Sequence, residues 1–218
     1  VSQRGTSFVD PGSSEYTIDC WTGYRYSTSA AYTVTQDTSG VFAAFGSDTA
    51  LKVDVTTADT SIASDMRCVI ETRLEAQNLQ HLNWGNAAAK DLTLSFCFQS
   101  PKSGTHVVVL YAQDGTRNCA AQFTVTSADT AQNFSVSFPG DTSGTINNDT
   151  GAGMYVYFPL AVGSSESSGS VGSWASGQQY SASGAQNLLD NTSNNIYIGL
   201  VQLEVGSVAT DFAHEDIG

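Results

Sequence analysis

The sequence predicts an all-β protein, a jelly-roll β-sandwich of two antiparallel sheets. Three observations carry that expectation. Apolar residues alternate with polar ones at a period of two through most of the chain, which is the pattern of half-buried strands. The alternating stretches are short and are bounded by Gly, Pro, Asn, Asp or Ser. A chain of 218 residues also suits a single all-β domain over 1–218, since such sandwiches run to about 250 residues as one unit.

The strands follow in order. "ALKVDVTT" puts Leu51, Val53 and Val55 on one face. "RCVIETRLEA" puts Cys68, Ile70 and Leu74 on one face and Glu71 and Arg73 on the other. A helical turn fits Ala76–Leu82, where the alternation stops. "LTLSFCFQS" sets Leu92, Leu94, Phe96 and Phe98 against Thr93, Ser95, Cys97 and Gln99. "THVVVLYAQDG" is a nearly continuous apolar run closed by a turn at Asp114-Gly115. "AAQFTVTS", "QNFSVSFPGD", "GMYVYFPLAVG" and "NIYIGLVQLEVG" complete a set of about eight to ten strands, the number such a sandwich uses. In the last of these, Val201, Leu203 and Val205 are expected to pack inward, with Gln202 and Glu204 pointing away. Two stretches read as long loops: Asp141–Gly153, rich in Gly, Asn and Asp, and Gly163–Gly184, rich in Ser and Gly. Long ordered loops on a β scaffold are common places for binding.

Composition narrows the function. Only 13% of residues are charged, the net charge is −13 and the pI is near 4.2. Such a chain repels phosphate backbones and anionic lipid, so neither nucleic acid nor a membrane surface is an expected partner. No apolar run reaches the ~18 residues that span a bilayer. The four cysteines, Cys20, Cys68, Cys97 and Cys119, form no CxxC motif and have no His at metal-ligand spacing. They read as reduced thiols, mostly buried as small apolar groups, with one or two disulfides as the alternative.

The sequence carries no GxSxG, HExxH, P-loop or GxGxxG motif. His81, His106 and His214 lie far apart. Glu71, Glu75 and Asp54 could in principle serve a paired-carboxylate glycosidase, but edge carboxylates held by hydrogen bonds are the more economical reading. No cofactor is expected. The loop oxygens are compatible with a structural calcium ion, although no EF-hand-like loop is present.

The aromatics are more informative, because a flat ring with a polar rim suits the C–H face of a sugar. Trp21, Tyr24, Tyr26, Trp84, Tyr155, Tyr157, Trp174 and Tyr180 are platform candidates, although Trp84, beside Leu79 and Leu82, reads rather as a core or interface anchor. Tyr155 and Tyr157 alternate with Val156, Phe158 and Leu160, which should take the core, so both tyrosines are expected outward or along a groove, or else packed under a loop or at a subunit contact, the reading that the enrichment of Tyr at interfaces favours. Trp174 sits in the Ser/Gly loop, where no core is expected. The candidate ligand-binding residues are Tyr155, Tyr157, Trp174 and Trp21. Alanine at Tyr155, Tyr157 or Trp174 is expected to lower ligand binding while leaving thermal unfolding nearly unchanged.

Five stretches occur together in order: "SQRGTSFV", "IDCWTGYRY", "IETRLEAQNLQHLNWGNAAAKDLTLSFCFQS", "FPGDTSGTINNDTGAGMYVYFPLAVGS" and "VQLEVGSVATDF". With them the chain resembles a family of jelly-roll, carbohydrate-binding-module-like domains in tail-fibre and other virion structural proteins of tailed bacteriophages. The resemblance spans almost the whole chain. It implies a non-catalytic virion protein of tail-fibre or receptor-binding type that attaches to host-surface glycans, works beside other virion proteins and forms a homotrimer. A purely structural head-fibre or capsid-decoration domain that oligomerises is the alternative it implies; a depolymerase stands third. The chain departs from the pattern at Cys20, where Arg is common, at Cys97, where Trp is common, and at Asp211, where Pro is common. The first two changes remove a cation and an aromatic. A virion assembled in host cytoplasm also suits unpaired thiols.

Overall fold

A computed structural model describes residues 5–13 and 15–213. Ser2–Arg4 of the first resemblance motif and His214 lie outside the described residues. Thirteen strands are present among them. They are β1 (Ser7–Val9), β2 (Glu15–Tyr16), β3 (Trp21–Tyr26), β4 (Ala31–Asp37), β5 (Ala50–Thr57), β6 (Arg67–Glu75) and β7 (Leu92–Gln99). β8 (Gly104–Ala112), β9 (Arg117–Val125), β10 (Gln132–Phe138), β11 (Ala152–Val162), β12 (Ala175–Ser176) and β13 (Asn195–Val205) follow. Three of these, β1, β2 and β12, are only two or three residues long. Their shortness hides them from a period-two reading, which needs at least four residues.

The strands form two antiparallel sheets in a jelly-roll sandwich. One has the order β1-β4-β5-β13-β7-β10, and the other β12-β9-β8-β11-β6-β3-β2. The alternation read from the sequence decides what lies between them. Leu51, Val53, Val55, Cys68, Ile70, Leu94, Phe96, Phe98, Val156 and Phe158 all point into one core. Phe96 is its hub, edge-on to Phe98, Phe123 and Phe158 with ring centroids 5.0–6.5 Å apart.

β13 carries the main irregularity. Ile196 and Ile198 face inward, and so do Val201 and Leu203. Residues 198 and 201 differ in parity, so a regular strand could not bury both. A bulge between Gly199 and Gln202 absorbs the extra residue. Leu200 takes a left-handed φ of 50° there and turns toward Phe42 and Cys97 on the outer side. Val205 departs from expectation: it is 44% exposed at the strand end. Gln202 and Glu204 point away from the core and bind the segment that follows. Thr210 donates its hydroxyl and amide to Glu204, and the Ala213 amide donates to Gln202.

The turn at Ala76–Leu82 is a 3₁₀ helix anchored by buried Leu79 and Leu82. The loop Gly163–Gly184 is docked, not free. The Ala120 amide donates to Ser170 O, Gly172 N to Ala120 O, and Gly177 N to Thr116 O. The loop Asp141–Gly153 is pinned by Asp141, a buried carboxylate that accepts from Arg117 Nε at 2.6 Å.

Candidate functional site

The outer face of the seven-stranded sheet collects seven tyrosines: Tyr16, Tyr24, Tyr26, Tyr111, Tyr155, Tyr157 and Tyr180. Strand register explains the gathering. Tyr111, Tyr155 and Arg73 lie in one row across β8, β11 and β6. Val109, Tyr157, Glu71, Thr22 and Tyr16 form the next row across β8, β11, β6, β3 and β2. Each occupies the outward phase of its strand, opposite core residues such as Ile70 and Val156.

The rings are mutually braced. Tyr155 lies 5.9 Å from Tyr111 and 5.7 Å from Tyr157. Tyr180, from the docked loop, stacks on Tyr157 at 5.1 Å and on Tyr24 at 5.5 Å. The Arg73 guanidinium sits 5.1 Å from the Tyr155 ring and 6.0 Å from the Tyr16 ring. Arg67 sits likewise between Tyr26 and Tyr180, at 5.1 and 5.3 Å. Both arginines have carboxylate partners. Arg73 donates to Glu71 at 2.8 Å, and Arg67 donates to Glu166 at 2.7 Å. Burial pulls the Arg73 pKa down, but the hydrogen bond and the charge of Glu71, with smaller contributions from Tyr155 and Tyr16, together outweigh this and hold the guanidinium above its ordinary value. Burial pushes the Tyr155 phenol above its ordinary value, so it remains a neutral donor and acceptor.

The four candidate residues do not converge. Tyr155 and Tyr157 share the face as their alternation requires, but Tyr157 is only 1% exposed. Of the two readings, outward along a groove or packed under a loop, Tyr157 takes the second: Tyr180 and Ala182 of the loop cover it, and Gln178 Nε2 donates to its hydroxyl at 3.0 Å. Trp174 sits elsewhere, edge-on to Trp84 at 4.7 Å, with its indole N–H bonded to Pro139 O at 2.6 Å. It packs against the core cluster, contrary to its expected freedom, and fastens loop to sandwich. Trp21 points inward onto Phe158 and lines an inter-sheet cleft of ≈ 520 Å³ with Leu74, Val201 and Leu203.

Glu71 is also corrected. It lies mid-strand, 2% exposed, and accepts from Thr22 Oγ1 as well as Arg73. Glu75 is exposed and accepts from Gln77. His106 is buried between Phe98 and Phe123. Among the described residues no group of three or more His, Cys, Asp and Glu could hold a metal ion. Tyr16 and Tyr111 escaped the sequence reading. Tyr111 shares the parity of Val107 and Val109, but that run is apolar on both faces and its outward phase is hidden.

No protein-family profile and no curated protein sequence matches the chain. Among solved structures it is similar to the enzymatically active domain of tailspike protein 4 of bacteriophage CBA120, with TM-score 0.47 and 9% identity. That likeness covers 92% of this chain but 21% of the tailspike chain, so the chain spans about a fifth of that protein's length. It is also similar to the family 11 carbohydrate-binding module of Lic26A-Cel5E from Clostridium thermocellum (TM-score 0.43, 13% identity, 92% and 95% covered). The C-terminal family 22 carbohydrate-binding module of Clostridium thermocellum Xyn10B is a third (TM-score 0.42, 16% identity, 97% and 99% covered). At these identities the likeness is one of fold.

Proposed function

We propose that this chain is a non-catalytic glycan-binding module and that its ligand lies on the tyrosine face, across Tyr16, Arg73 and Tyr155. The observation that carries this reading is a run of partly exposed flat groups that crosses two neighbouring rows of the sheet. Tyr16 is 41% exposed, and the Arg73 guanidinium bridges its ring to that of Tyr155. Rings held by their neighbours lose little freedom on binding, and a sugar's C–H face stacks on them. Glu71 supports binding over hydrolysis, because its carboxylate is buried and occupied by Arg73 and Thr22. The sequence resemblance supports a place on a tailed-phage particle, beside other virion proteins and as a homotrimer, in attachment to the host surface.

A glycan array followed by calorimetry on the best hit tests the site. Tyr155→Ala and Tyr16→Ala should each weaken binding by about tenfold, the value of one lost aromatic stack with its buried area. Unchanged affinity in both variants would remove the ligand from this face. Light scattering separately tests the trimer.

A further inference from the structure

The opposite outer face carries a second groove. It has a volume of ≈ 510 Å³ and lies over β7 and β10 of the six-stranded sheet. Its floor is polar. Ser95 and Ser135 are cross-strand partners, and Asn133 pairs with Cys97 in the neighbouring row. The side chains of Ser95, Asn133 and Ser135 make no hydrogen bond to the described residues, although neighbouring Thr93 and Ser137 do. Two aromatic rings line the same groove. Phe45 ends the 3₁₀ turn Ala43–Phe45, Phe212 belongs to the segment tied back by Glu204, and each is 38% exposed.

We propose that this groove is a second binding site, for a neutral saccharide or polyol unit. The chemistry matches on both counts. Unengaged hydroxyl and amide groups supply donors and acceptors for ring hydroxyls. The exposed phenyl rings supply apolar contact for C–H groups. Among the described residues the one charged group lining the groove is the Asp211 carboxylate, so a uronate, sulfate or phosphate would meet repulsion there. The site goes beyond the tyrosine face: it lies on the other sheet and shares no residue with it. Two sites on opposite faces would let one module hold two segments of a surface polysaccharide, with the gain of a tethered second contact.

Amide NMR titration of the 218-residue chain tests this. Cellotetraose, xylotetraose and mannotetraose would be added separately at millimolar concentration. The expected result is shifts at Ser95, Asn133 and Ser135 with at least one sugar. They should persist in Tyr155→Ala and weaken by about tenfold or more in Phe45→Ala. Ser135→Trp, which fills the groove from an exposed strand position, should abolish them if Phe45→Ala perturbs the local turn. Shifts confined to the tyrosine face would overturn this second site and leave the first. Shifts confined to β7 and β10 would do the reverse. No shift on either sheet with any sugar would overturn both.

Discussion

Tyr157 separates two ways an aromatic residue can matter. Its ring is 1% exposed and lies between Tyr111 and Tyr180, at 6.2 and 5.1 Å. Tyr157→Ala removes that ring from a packed layer under the loop Gly163–Gly184. Deleting a buried aromatic costs about 3–5 kcal/mol through lost transfer free energy and the cavity left behind. For a chain of this size 1 kcal/mol moves Tm by about 2–4 °C, so the loss should be roughly 6–20 °C. Tyr157→Phe keeps the ring and removes only the acceptor for Gln178, at about 0.5–1.5 kcal/mol or roughly 1–6 °C. Calorimetric melting of the two variants beside Tyr155→Ala is the assay. The reasoning fails if Tyr157→Ala melts within about 2 °C of the parent, for the loop would then not close a second core over this face.

The same structure makes further predictions. Burial pushes the Cys68 and Cys119 thiols up to about 12 and Cys97 up to about 11, whereas Cys20 is exposed. One of the four thiols should react promptly with Ellman's reagent in the native protein and all four after denaturation; two or more prompt thiols would contradict the packing. Burial holds the His106 pKa below its ordinary value, with the nearby Lys102 charge acting the same way and the bond to Lys102 O opposing it. The unfolded chain therefore takes up this proton first as pH falls below about 6.5, and the stability that neutral His106 provides is present above that pH and lost beneath it. An imidazole NMR titration with a midpoint at or above about 6.5 would refute this. A Cβ at Gly199 would lie 2.7 Å from the Phe42 ring. Gly199→Ala should therefore cost about 1–3 kcal/mol by overpacking, and a denaturant midpoint equal to the parent's would show that the bulge relaxes freely.

Much of the sandwich was legible because one physical rule, burial of one face per strand, writes itself at period two. Leu92, Leu94, Phe96 and Phe98 declared their side and kept it. The parity change from Ile198 to Val201 was also present in the sequence, and only a bulge reconciles it with continuous burial. The site was less legible, for a reason visible in Tyr157. Alternation says which face a residue takes but not whether another segment covers that face. Gly163–Gly184 has no periodicity, and its docking rests on backbone bonds such as Ala120 N to Ser170 O and on Tyr180, none of which leaves a local pattern. Trp174 fell to the same blindness. Its partner Trp84 lies ninety positions away, and nothing in a Ser/Gly-rich stretch announces a contact at that separation.

The two arginines of the tyrosine face settle how salt should act there. Arg67 and Arg73 are two of only eight basic residues in a chain of net charge −13. Placed for charge attraction, they would stand clear of carboxylates. Each instead donates to a glutamate and lies over tyrosine rings. A guanidinium so held contributes a flat, weakly hydrated surface that continues the aromatic row, a role lysine could not fill. The face is thus balanced by Glu71 and Glu166, and ligand binding there should rest on stacking and neutral hydrogen bonds. Raising salt shortens the Debye length from about 10 Å at 0.1 M to about 3 Å at 1 M, which would strip any long-range attraction and leave stacking intact. Calorimetric affinity for the ligand found on the array should therefore change less than about threefold between those salt concentrations. A loss of about tenfold or more would mean that the arginines attract an anionic sugar and that the glutamates yield to it.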